Sequence, residues 1–236
     1  MTLYPRYAIY YAPAPGSDLD RFGSHLLGYD AYRGEALPFP DDMTQAAPDW
    51  LELTQDPRKY GFHATLKAPL SLAPGRDEAE LLAACDTFCA TARPIPVFKP
   101  VVSLIGGFIA VIPEKPPATL LALAADCVRA FDGFRAPLTA EDRSRRNPPR
   151  LTPRQLAHLD RWGYPYVMED FQFHMTLTGR LAADRQTIIL PMLQRRFAEI
   201  DLAALAVNSI ALFRQDSTDA RFRIVRRDAL KGRAGG

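Results

Sequence analysis

The reading of this chain turns on Tyr60-Gly61-Phe62-His63-Ala64-Thr65-Leu66-Lys67-Ala68-Pro69, whose centre returns as Phe173-His174-Met175-Thr176-Leu177. Two of the four histidines in the chain stand in this shared Phe-His-x-Thr-Leu context. In a strand, successive side chains point to opposite faces. Phe62, Ala64 and Leu66 then make an apolar face suited to packing on helices, and His63, Thr65 and Lys67 make a polar one. In the second copy Phe173, Met175 and Leu177 lie on one face, with His174, Thr176 and Thr178 on the other. Two such polar faces brought together form a cleft with two imidazoles and two hydroxyls.

Outward from the first copy, Tyr7–Tyr11 reads as a strand ended by a Pro/Gly-rich turn. A helix capped by Ser17 or Asp18 runs to Leu27 and stops at Gly28. Residues 30–58 are proline-rich and weakly periodic, a long surface excursion with a short helix near Trp50–Thr54. Asp77–Ala92 is helical, with Leu81, Leu82, Cys85, Phe88 and Cys89 on its buried side. Val97–Ile105 and Phe108–Ile112 form a hairpin about Gly106-Gly107. Outward from the second copy, Ala118–Phe131 is a helix opened by Pro116-Pro117, and Pro153–Trp162 is one capped by Thr152. Residues 132–166 are otherwise polar and proline-rich. Ala183–Phe197 is a further helix, and Leu205–Phe213 with Arg221–Arg227 closes the chain as a hairpin.

The order of elements repeats, with Phe108–Pro113 in the place of Tyr7–Pro13. The chain therefore reads as one α+β domain, 1–236, made of two intertwined units of about 1–106 and 107–236. Two antiparallel sheets facing a central cleft, with helices outside, would satisfy both the pattern and the burial needs.

Composition narrows the function class. Hydrophobic residues make up 47% and charged residues 24%, and the formal charge is +2, too small to demand a nucleic-acid partner. No apolar run approaches the ~18 residues of a membrane span, and the N-terminus has no signal-peptide pattern. The three cysteines, Cys85, Cys89 and Cys127, are an odd set in a chain without an export signal, as expected of reduced thiols in the cytoplasm. Cys85 and Cys89 read as small buried hydrophobes, because no third and fourth ligand stands at zinc-site spacing.

Imidazoles change charge near neutral pH at small cost. Two in one cleft can divide the work of base and acid, while hydroxyls two residues on donate to an anion. That suits a phosphodiester, with His63 and His174 moving protons and Thr65 and Thr176 steadying the phosphoryl oxygens. No carboxylate or cysteine cluster accompanies them, so neither metal nor other cofactor is expected. Lys67 and Arg180 share the histidine faces by parity and are candidate phosphate contacts. Tyr60 and Tyr166 are candidates for lining the cleft. Arg143, Arg145, Arg146 and Arg150 read as a solvated loop, with closure over an anionic substrate as the functional alternative.

The paired His-x-Thr motifs resemble the 2H phosphoesterase superfamily. Tyr60–Pro69, and Gly163–Tyr166 ahead of Phe173–Gly179, look more narrowly like the DUF1045 family of carbon–phosphorus lyase operons. The resemblance covers nearly the whole chain. It implies a bilobal, pseudo-twofold fold and metal-independent hydrolysis of cyclic phosphates, with the catalytic positions at His63, Thr65, His174 and Thr176. The operon association implies 5-phosphoribosyl 1,2-cyclic phosphate, a small molecule, as substrate; the oligomeric state is left open by the sequence, a monomer being one possibility. Two alternatives stand beside it. One is the same chemistry on RNA 2′,3′-cyclic ends or 2′–5′ linkages, against which stands the lack of aromatic–basic interleaving. The other is a non-catalytic phosphate-ligand or RNA-binding module.

Overall fold

The computed structural model describes residues 3–232. In chain order its elements are β1 (Arg6–Tyr11), α1 (Asp18–Leu27), β2 (Tyr29–Asp30), β3 (Glu35–Ala36), α2 (Asp41–Ala46), α3 (Trp50–Leu53), α4 (Gln55–Arg58) and β4 (Ala64–Ser71). There follow α5 (Glu78–Thr91), β5 (Pro100–Ile105), β6 (Phe108–Pro113), α6 (Ala118–Phe131), α7 (Ala140–Ser144) and α8 (Pro153–Trp162). The last are β7 (Met175–Thr176), α9 (Ala183–Ala198), β8 (Ser209–Gln215) and β9 (Arg223–Ala229).

The helix ends follow local chemistry. Ser17 caps α1 through its side chain, and Gly28 ends it in the left-handed region at φ 64°, which costs glycine nothing. Asp77 and Glu80 form a capping box on α5. Thr152 and Gln155 do the same on α8, each satisfying two amides that a helix start leaves open.

The class is α+β, as the pattern implies. The two expected sheets, however, are joined into one. The order is β5-β6-β7-β4-β1-β8-β9, every pairing is antiparallel, and the two halves meet at the single pair Ala64–Met175. On each side of this seam the His-Thr segment is followed outward by its partner strand, β1 beside β4 and β6 beside β7.

One face of the sheet carries the core. Tyr7, Ile9 and Tyr11 of β1, with Phe62, Ala64, Leu66, Phe173, Met175 and Leu177, pack against Cys85 and Leu81 of α5, Leu120 and Phe131 of α6, and Leu193 and Phe197 of α9. Burying each large apolar side chain here contributes roughly 1.5–3 kcal/mol. Gly23 lets α1 lie directly on the ring of Phe62; a Cβ there would stand 2.0 Å from the ring carbons. Cys85, Cys89 and Cys127 are free, buried thiols, and burial pushes Cys85 and Cys89 up to about 12.

Residues 30–58 run largely over the surface, with the expected short helix at Trp50–Leu53, but the segment is anchored at buried points. Trp50 is fully buried and donates from Nε1 to Leu26 O at 2.8 Å. Arg58 Nε donates to Leu27 O at 2.6 Å. Carbonyls left open at the end of α1 thereby find partners, and these two side chains tie the segment to the core.

Candidate active site

The opposite face of the sheet holds a cleft of about 320 Å³, and His63, Thr65, His174 and Thr176 all line it. Strand alternation puts them there, since their odd or even neighbours are the core residues just described. Both histidines stand one residue ahead of their strands, where the backbone carbonyls are free of the ladder. Each uses that freedom in the same way. His63 Nδ1 lies 2.9 Å from Gly61 O, and His174 Nδ1 lies 2.7 Å from Gln172 O. A carbonyl only accepts, so both Nδ1 atoms carry the proton and both Nε2 atoms keep a lone pair. His63 Nε2 is 3.2 Å from Thr65 Oγ1, so the hydroxyl donates to it in the free protein.

Each imidazole also leans on an aromatic ring from the neighbouring strand. Tyr10 of β1 stacks on His63 at 3.9 Å between centroids and 24° between planes. Phe108 of β6 tilts against His174 at 5.5 Å. These rings restrict the imidazoles and strip water from them. Burial lowers the His63 pKa to about 4, with the Gly61 carbonyl opposing and the charge of His174 adding to the drop. Burial lowers His174 as well, against its bond to Gln172. Both are neutral bases at pH 7.

The other candidates divide. Tyr60 lines the cleft, tilted against His63 at 5.9 Å and stacked on Phe222. Arg180 lines it too, steered by a 2.5 Å bond from Nη1 to Gly106 O. Lys67 does not. It is only 2% exposed, on the helix side of the sheet, with Nζ 2.6 Å from Asp132 Oδ1. The reason is a β-bulge: Tyr10 pairs with Thr65 but Ile9 pairs with Lys67, which leaves Leu66 as an extra residue. A bulge resets the alternation, so Ala68 reaches the cleft and Lys67 turns away. Tyr166 is also absent from the cleft wall. It is 48% exposed, and Tyr164, whose ring it touches edge-on at 5.6 Å, takes the place at the cleft.

Tyr10, Asp56 and Phe108 line the cleft too and escaped the sequence reading, and Arg146, one of the four loop arginines named above, lines it as well. Arg146 belongs to the basic loop, and its guanidinium lies over the Tyr164 ring at 4.9 Å. Arg143 instead bonds Asp160, and Arg145 bonds Glu141 and Asp142. Among the described residues no group of three or more His, Cys, Asp or Glu side chains is placed to hold a metal ion. Among the same residues no helix is long and apolar enough to cross a membrane.

A family model described as "Protein of unknown function (DUF1045)" matches residues 65–223. The ribose 1,5-bisphosphate phosphokinase PhnN of Janthinobacterium sp. (strain Marseille) is 37% identical over 227 residues, covering 92% of this chain and 49% of the relative. The protein of the same name from Laribacter hongkongensis (strain HLHK9) is 33% identical over 224 residues, with 94% and 51% covered. The chain thus spans about half the length of the curated relatives it matches. Among solved structures, that of E. coli LigT complexed with 3′-AMP aligns with 96% of this chain and 98% of its own, at 12% identity and a TM-score of 0.42.

Proposed function

The chain belongs to the DUF1045 family, and we propose that it is a metal-independent cyclic phosphodiesterase that opens 5-phosphoribosyl 1,2-cyclic phosphate. One observation carries this reading: two imidazoles in the same tautomer present Nε2 into one cleft, each with a threonine hydroxyl two residues on.

In the reaction a neutral imidazole takes a proton from water at Nε2, and the water oxygen bonds to phosphorus. The bond from phosphorus to one ring oxygen breaks. The second imidazole, protonated as the anionic substrate enters, gives its Nε2 proton to that oxygen. Thr65 and Thr176 donate to the phosphoryl oxygens, where negative charge gathers. The product is a phosphomonoester with a free hydroxyl, and the two histidines end with their protonation exchanged.

The relatives' kinase name does not describe this cleft. A nucleotide-binding phosphate loop needs Gly-Lys followed by Ser or Thr, and this chain contains no Gly-Lys pair. We infer that the kinase activity in that name belongs to the half of those relatives that this chain does not span. Their name still supports the reading. If the bond from O2 to phosphorus breaks, the product is ribose 1,5-bisphosphate, the compound that the relatives' name contains.

Purified protein in excess chelator is expected to open 5-phosphoribosyl 1,2-cyclic phosphate, with ribose 1,5-bisphosphate as the product seen by phosphorus NMR. His63→Ala and His174→Ala are each expected to lower kcat by about 10²–10⁴ while melting normally. Turnover that needs added metal, or faster opening of a nucleoside 2′,3′-cyclic phosphate, would contradict the proposal.

A further inference from the structure

Beside the histidine cleft lies a second recess, of about 170 Å³, and the two share Tyr60, Pro69 and Arg146 as a common wall. Five cationic side chains line the recess: Arg6, Lys59, Arg135, Arg145 and Arg146. Two are neutralised by carboxylates. Arg135 Nε lies 2.9 Å from Asp132, and Arg145 lies 3.2 Å from Glu141 and 3.1 Å from Asp142, the acid that also lines the recess.

The other three have no carboxylate partner among the described residues. Arg6 is turned on the neutral Oε1 of Gln215, its Nε 2.9 Å away, and lies 5.4 Å from the Phe222 ring centre. Arg146 rests on the Tyr164 ring. Lys59 is partly buried with no side-chain bonding partner among the described residues, while its carbonyl accepts from Phe222 N. Partly buried cations held by aromatic faces and a neutral amide keep their full charge for a ligand.

We propose that this recess is a second phosphate subsite, in which Lys59, Arg6 and Arg146 hold a phosphomonoester on the substrate whose cyclic diester lies between the histidines. The inference rests on the phosphodiesterase reading and adds the residues that set substrate choice. The two sites share lining residues, so the two phosphates sit at opposite ends of a single small sugar. A polymer would have to continue past Arg146. Binding energy gained at the remote phosphate positions the ring at the histidines, as a distant anchor does in other phosphoryl reactions.

The test compares 5-phosphoribosyl 1,2-cyclic phosphate with ribose 1,2-cyclic phosphate. The wild-type chain is expected to favour the phosphorylated ester at least tenfold in kcat/KM. Lys59→Ala is expected to bring that ratio toward one, chiefly through KM on the phosphorylated ester. Equal use of both esters by the wild type, or an unchanged ratio in the variant, overturns the proposal. A calorimetric titration of ribose 5-phosphate into a His63→Ala/His174→Ala protein separates the recess from the catalytic reading. Binding that weakens at least tenfold on adding Lys59→Ala supports the recess even if neither ester is opened. Absent or unaltered binding overturns it.

Discussion

His63 and His174 are specified by short-range chemistry. Each Nδ1–H is fixed by a carbonyl two residues back, so each Nε2 is a base aimed at the cleft. Burial holds both pKa values below the ordinary 6.5, His63 at about 4. The sign of the pH dependence follows. A bound anion favours the imidazolium form, raises both values and takes up protons. Sulfate, whose charge is constant over the range, should therefore bind more tightly as pH falls from 7 to 5, by up to about tenfold per unit for each proton taken up. Calorimetry in two buffers of different ionisation enthalpy would measure the uptake; affinity independent of pH would contradict it. His63, Thr65, His174 and Thr176 were legible as a set because the pattern Phe-His-x-Thr-Leu occurs twice. Tyr10 and Phe108 were not, because strand alternation says which way a side chain points but not which strand lies beside it.

Among the elements, β4 shows where local reading fails. Alternation across Phe62–Leu66 holds, but the extra residue at Leu66 turns Lys67 to the helix side. A bulge depends on pairing with β1, some fifty residues away in sequence, and no pattern within β4 announces it. The displaced lysine acquires a structural role. Its Nζ bonds Asp132, just past the end of α6, and the same carboxylate accepts from Arg135 at 2.9 Å. Burial alone would raise Asp132, but its bonds to Arg135 and Lys67 outweigh that and hold it below the ordinary carboxylate value. Asp132→Ala strands a buried ammonium and is expected to cost about 3–5 kcal/mol in urea unfolding. Lys67→Met removes the buried charge itself, leaves Asp132 to Arg135, and should cost far less or nothing. Equal losses would show that the lysine is not held as a paired buried charge. By contrast, α1, α5, α6 and α8 were legible almost to the residue, because caps and apolar periodicity act within a single turn. In the segment 41–58 the short helix at Trp50 was legible but its anchoring was not: Trp50 and Arg58 bond to carbonyls of α1 that a window on their own sequence does not contain.

At the scale of the molecule, the order β5-β6-β7-β4-β1-β8-β9 explains why two separated pentapeptides form one site. The seam at Ala64–Met175 places the two His-Thr segments side by side, with the helices behind and the cleft in front. The last strands cross back to flank β1, so neither half closes its sheet alone. The basic loop around Arg146 and the residues near Asp56 then wall the cleft from regions that carry no His-Thr pattern. Their place in the site is set by the tertiary fold. The central claim is that both imidazoles act on one phosphorus atom. A crystal structure of the chain with orthovanadate, which mimics five-coordinate phosphorus, tests it directly. The expected result is a single vanadate with oxygens about 2.7–3.0 Å from both His63 Nε2 and His174 Nε2. An oxyanion that meets only one of the two, or binds elsewhere in the molecule, would contradict the claim.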